Sequence, residues 1–124
     1  MVPAFLFPEA VAREDGHGAE ISLGDSRERS LLLTLGITRM LEQASLDVSV
    51  WGSADGQAWQ PLATFPQKFY CGTYSLMLDL SRCPEIRYLR AQWRTGRWGG
   101  GSSQSLSGFY LFAERAKMQV AGAA

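Results

Sequence analysis

The segment Leu46-Asp47-Val48-Ser49-Val50-Trp51-Gly52-Ser53-Ala54-Asp55-Gly56-Gln57-Ala58-Trp59-Gln60-Pro61-Leu62 decides the fold class of this chain. Its first half alternates, with Leu46, Val48 and Val50 on one side and Asp47, Ser49 and Trp51 on the other. A period of two is the mark of a strand with one buried face. Ser53-Ala54-Asp55-Gly56 reads as a tight reversal. Asp55 can fold its carboxylate back on the following amides, and Gly56 can take the positive φ that a type I turn plus bulge requires. Trp59 and Leu62 then begin the return strand.

The same alternation recurs on both sides of this hairpin. Ala19 to Leu23 reads as a short strand. Ser30 to Met40 sets Leu31, Leu33, Leu35 and Ile37 against Leu32, Thr34, Gly36 and Thr38. Thr38 to Ala44 reads as strand end and connector rather than as a helical turn. Further on, Tyr74, Leu76, Leu78 and Leu80 alternate with Ser75, Met77, Asp79 and Ser81, and Ile86 to Thr95 forms another strand. Ser107 to Glu114 closes the set, with Phe109, Leu111 and Ala113 opposite Tyr110, Phe112 and Glu114. Both faces of that last strand are apolar, which predicts cover from the core on one side and from a loop or another chain on the other. Seven or eight short strands punctuated by Gly, Pro and Asp-Gly predict an all-β protein, an antiparallel β-sandwich without long helices.

With 124 residues the chain is expected to be one domain, its core spanning about 19–115 and a fraying tail about 117–124. No apolar run approaches the roughly 18 residues of a membrane span. The opening Met1-Val2-Pro3-Ala4-Phe5-Leu6-Phe7-Pro8-Glu9 lacks the basic start of a secretory signal, so a cytoplasmic location is expected. On that expectation Cys71 and Cys83 read as two reduced, partly buried thiols rather than a bridge across eleven residues. The single histidine, His17, leaves no His/Cys cluster for a transition metal, and no cofactor is expected.

Net charge is zero, yet it is split along the chain. Residues 1–62 carry nine acids against four arginines, a net of −5; residues 63–124 carry eight bases against three acids, a net of +5. Either early and late strands lie side by side and neutralise each other, or the molecule is dipolar and meets itself or an anionic partner. A nucleic-acid partner is not expected, because such domains carry a net basic charge.

The hairpin resembles the central turn of discoidin-like domains, the coagulation-factor C-type family on the galactose-binding jelly-roll fold. Two places carry the resemblance: Ser53-Ala54-Asp55-Gly56-Gln57-Ala58-Trp59, and Ile86-Arg87-Tyr88-Leu89-Arg90-Ala91-Gln92-Trp93, similar to that family's late aromatic-(Val/Leu)-Arg strand. In strand order the likeness runs from Glu20 to Glu114. It implies a jelly roll, the binding of lipid or galactose, and a Trp59 packed on the core edge. Two features depart from the family: the terminal cysteines of many extracellular members are missing, and no long ligand-binding spikes precede the hairpin.

Catalysis finds little support in the residues. Asp47 and Asp55 have no identifiable partner carboxylate, and any Ser/His/Asp set drawn from this chain lacks specificity. Cys71 reads as a structural thiol, since no neighbouring cation would activate it. Calcium is not expected at Asp25 or Asp55, because no run of carboxylates has the spacing of an oxygen cage. Binding fits better. Trp93-Arg94-Thr95-Gly96-Arg97-Trp98, followed by a glycine run, joins rings that stack on sugars to guanidinium forks that hold hydroxyl groups.

Strand parity puts Leu89, Ala91 and Trp93 in the core, and Tyr88, Arg90, Gln92 and Arg94 in an outer row. Trp98 lies beyond the strand, exposed or packed with equal ease. Trp51, on the polar parity, either stacks on a flanking loop or marks an interface. Two readings follow. One is a non-catalytic module binding a glycan or small polar ligand through Trp98, Arg94, Arg97, Arg90 and Tyr88. The other is an assembly protein that uses a sheet face for a partner or for a homodimer.

Overall fold

Residues 3–23, 30–41, 44–97 and 106–116 are described by the computed structural model. Nine strands form in chain order: β1 (Ala4–Ala12), β2 (Gly16–His17), β3 (Ile21–Ser22), β4 (Ser30–Met40), β5 (Ala44–Ser53), β6 (Gln60–Thr64), β7 (Gly72–Asp79), β8 (Tyr88–Arg97) and β9 (Ser107–Arg115). There is no helix among the described residues, and hence none long and apolar enough to cross a membrane. The strands make two antiparallel sheets. One has the order β1-β9-β4-β7; the other has β2-β8-β5-β6, with β3 also paired to β8.

The alternation in the sequence is what packs these sheets together. Leu31, Leu33, Leu35 and Ile37 of β4 and Phe109, Leu111 and Ala113 of β9 are buried from one side. Leu46, Val48 and Val50 of β5 and Leu89, Ala91 and Trp93 of β8 meet them from the other, in one continuous core. Removing apolar area of this kind from water is the main stabilising term, at about 25 cal/mol per Å². At one end Trp93 bridges the layers, its ring centroid 4.4 Å from Phe7 and 5.6 Å from Phe109. The indole N–H donates to the Glu14 carbonyl at 3.1 Å, so the buried polar atom is satisfied.

Early strands sit beside late ones: β1 and β4 flank β9, and β5 pairs with β8 so that Asp47 faces Arg94.

Several expectations need correction. The sandwich starts well before residue 19, because β1 pairs along β9 and buries Leu6. Pro8 sits where the pairing register slips between Phe7 and Ala10, which is how an edge strand accommodates a residue without an N–H. The segment Ala19–Leu23 contributes only the two-residue β3. Cys71 is exposed rather than partly buried, while Cys83 packs against the core; the two are not bridged. The outer side of β9 is partly covered by the chain's own β1, with Phe5 at 4.9 Å from Phe112 and 6.0 Å from Tyr110 between ring centroids. The expected tail at about 117–124 lies outside the described residues.

Candidate functional site

The hairpin turn organises one end of the five-stranded sheet. The Ser53 hydroxyl accepts from the amides of Asp55 (3.2 Å) and Gly56 (2.8 Å) and donates to the Asp55 carboxylate at 3.0 Å. That carboxylate accepts in turn from the amides of Gln57 and Ala58, at 2.8 and 3.0 Å. These bonds, the Gln57 amide foremost, hold the Asp55 carboxyl below its ordinary value of 3.8. Gly56 has φ = 81°, as the sequence requires. The loop is longer than a type I turn plus bulge, however. The return strand begins at Gln60, and the register slips between the Val50–Ala63 and Trp51–Pro61 pairs, which places Leu62 as the extra residue.

This path takes Trp59 out of the strand and onto the outside of the sheet. There its ring lies 4.2 Å from the Arg90 guanidinium carbon, so it does not pack on the core edge as the resemblance implied. Arg90 belongs to the outer row of β8, whose half-buried Tyr88, Arg90 and Gln92 lead to an exposed Arg94. Across the ladder stand Ser53, Trp51, Ser49 and Asp47 of β5, directly opposite Tyr88, Arg90, Gln92 and Arg94. Trp51 is thus a local packing residue of this face. Its indole N–H donates to the Ser49 hydroxyl at 2.9 Å, which fixes the ring beside Arg90.

Arg90 is held by aromatic surface more than by hydrogen bonds. Its Nε is buried without an acceptor among the described residues, while the side chain as a whole stays partly exposed. A guanidinium stacked on an indole gains about 0.5–1 kcal/mol at a partly exposed site and keeps its fork in one orientation. The face therefore offers a fixed cation, two indoles, a phenol, an amide, the Ser49 hydroxyl and the Asp47 carboxylate. By the rise of a strand, Tyr88 and Arg94 stand about 20 Å apart, so the row is longer than any single sugar ring. It is a platform, not a cleft.

Of the predicted site residues, Tyr88, Arg90 and Arg94 come together on this face. Arg97 ends β8, paired with Ala44, but its side chain and the whole of Trp98 lie outside the described residues. Trp59 was missed as a site residue. Only the length of the turn decides which side of the sheet it reaches, and the motif does not encode that length. Trp51 carried a signal, since an indole on the polar parity needs a partner on the outer face. No group of three or more His, Cys, Asp or Glu residues that could hold a metal ion occurs among the described residues. Comparison with known proteins adds no relative: no family model matches the chain, and no significant match exists to a curated protein or a solved structure.

Proposed function

We propose that this protein is a non-catalytic binding module whose five-stranded sheet receives a carbohydrate, or another polar ligand built on rings, across its outer face. The observation that carries this reading is Arg90 stacked on Trp59 and flanked by Trp51. Sugars present flat C–H faces and a rim of hydroxyl groups. A rigid indole supplies the stacking surface, and a guanidinium whose position is already fixed donates to the hydroxyls with little loss of side-chain entropy. Tyr88, Gln92 and Arg94 extend the same chemistry along the strand. The Ser49 hydroxyl and the Asp47 carboxylate of β5 supply acceptors.

On the same reading the sandwich is a jelly roll. What supports it is the way the chain alternates between layers: β4 in one sheet, β5 and β6 in the other, then β7, β8 and β9 in turn across the core.

A glycan array probed with the wild-type protein, Trp59→Ala and Arg90→Ala tests the function. The expected result is binding to a restricted set of glycans, weakened about tenfold or more in each variant, as for the loss of a central aromatic or arginine contact. Binding that both variants retain removes the proposal, and an array with no positive glycan removes its carbohydrate reading.

A further inference from the structure

The opposite sheet carries a second surface of different chemistry. Outward from β1, β9 and β4 stand Phe5, Tyr110, Phe112, Glu114 and Thr34, which with Pro8 and Glu9 line an open hollow of about 400 Å³. That volume falls within the range of small-ligand sites.

Its construction begins with Gly36. A Cβ there would overlap the Tyr110 ring, so only glycine lets the phenol lie down on β4. Phe5 stands edge-on to that ring at an interplanar angle of 81° and tilted by 57° to Phe112. Phe5 is 49% exposed, an unusual position for a phenylalanine in a folded sheet. The charged residues lining the hollow, Glu9 and Glu114, are both acids.

We infer that this hollow binds a small organic cation, a quaternary or alkylated ammonium ion. Aromatic faces are the negative pole of the ring quadrupole and attract a cation placed over them. The two carboxylates add attraction of the same sign, and an anion would meet repulsion from both. A neutral apolar ligand would have to strip water from the carboxylates and leave them unpaired. A bare metal ion needs a close cage of oxygen ligands, and three aromatic rings do not provide one. An alkylated ammonium group is weakly hydrated, needs no hydrogen-bond acceptor, and matches the mixture of π faces and negative charge. The site lies on the other sheet from Arg90 and Trp59, so it stands or falls independently of the carbohydrate reading.

The test is a titration of the ¹⁵N-labelled protein followed by amide chemical shifts, with choline as the probe. Its uncharged isostere, 3,3-dimethylbutan-1-ol, is the control for shape. The expected result is saturable shifts centred on Phe5, Thr34, Tyr110, Phe112 and Glu114, with choline binding roughly ten times more tightly than the alcohol. Glu114→Gln, which keeps size and removes the charge, and Phe5→Leu, which keeps an apolar side chain and removes the ring, should each weaken choline by severalfold and leave the remaining spectrum in place. Equal affinity for the two probes, shifts scattered over the molecule, or unchanged binding in both variants would overturn the inference. So would a dimer in sedimentation velocity that choline does not dissociate, with concentration-dependent amide shifts at Phe5, Tyr110 and Phe112 placing its interface on the hollow.

Discussion

The two outer faces of the sandwich are built by one rule and end with opposite chemistry. In the central strands β4, β9, β5 and β8, alternate residues are buried and those between them turn outward. On the five-stranded sheet the outward set is Tyr88, Arg90, Gln92 and Arg94, with Trp51 and Trp59 against the guanidinium. On the four-stranded sheet it is Phe5, Tyr110, Phe112, Leu32 and Met77, edged by Glu9 and Glu114. Met77 is 58% exposed there. Scattered exposed apolar residues are ordinary on protein surfaces, but grouped rings at fixed angles are not. The difference teaches that strand parity determines which residues face out, whereas the path of the flanking segments determines whether they form a site. Trp59 reaches Arg90 only through its loop, and Phe5 reaches Phe112 only because β1 joins the sheet.

A pair of tryptophans gives the sharpest contrast. Trp93 is 9% exposed and wedged between Phe7 and Phe109, so Trp93→Ala should cost about 3–5 kcal/mol of stability. Trp59 lies on the surface, and Trp59→Ala should cost only about 1 kcal/mol, the loss of its contact with Arg90. Urea denaturation followed by far-UV circular dichroism measures both. Similar losses in the two variants would mean that the outer face is structural rather than a surface free to bind.

On the four-stranded sheet, Gly36→Ala should destabilise by about 1–3 kcal/mol, because the Tyr110 ring must leave its place on β4. The same urea titration checks it. A neutral outcome would show that the ring is not fixed there, and the floor of the hollow would be lost with it.

The smallest effect is one of pH, and it occurs once in each sheet. The amides of Gln57 and Ala58 and the Ser53 hydroxyl hold Asp55 below 3.8. Beyond the end of β7, the Ser81 amide, donating at 2.9 Å, does the same for Asp79. A carboxyl whose pKa is lower in the folded state binds fewer protons folded than unfolded. Its contribution is therefore complete above about pH 3.8 and fades as pH falls through the lowered folded value. Asp55→Asn and Asp79→Asn should each show a gap from wild type in thermal midpoint that narrows as pH is lowered from 5 toward 3. Both sites are exposed, so the gaps are modest. A gap that widens on acidification would contradict the hydrogen-bonded turns.

Much of the layered architecture was legible because it depends on local alternation. Leu31, Leu33, Leu35 and Ile37, then Leu46, Val48 and Val50, and Phe109, Leu111 and Ala113 all recur with a period of two, and all are buried. The strand β1 was not legible. Pro3 and Pro8 argue against a strand, and the register slips around Phe7 break its alternation. The candidate site was half legible. Parity placed Tyr88, Arg90 and Arg94 in one outward row, but the partner that orients Arg90 arrives from a loop. The hollow on the other sheet needed β1 beside β9, a pairing between the two ends of the chain that no local pattern encodes.

The most direct test of the proposed binding face is a chemical-shift titration of the ¹⁵N-labelled protein with the strongest glycan from the array, read at the indole N–H resonances and the amides of both sheets. The account predicts saturable shifts at the indoles of Trp51 and Trp59 and at the amides of Tyr88, Arg90, Gln92 and Arg94. The buried Trp93 indole and the Phe5–Phe112 face should stay still. Shifts confined to the four-stranded sheet, or movement of the Trp93 indole without that of Trp59, would contradict it.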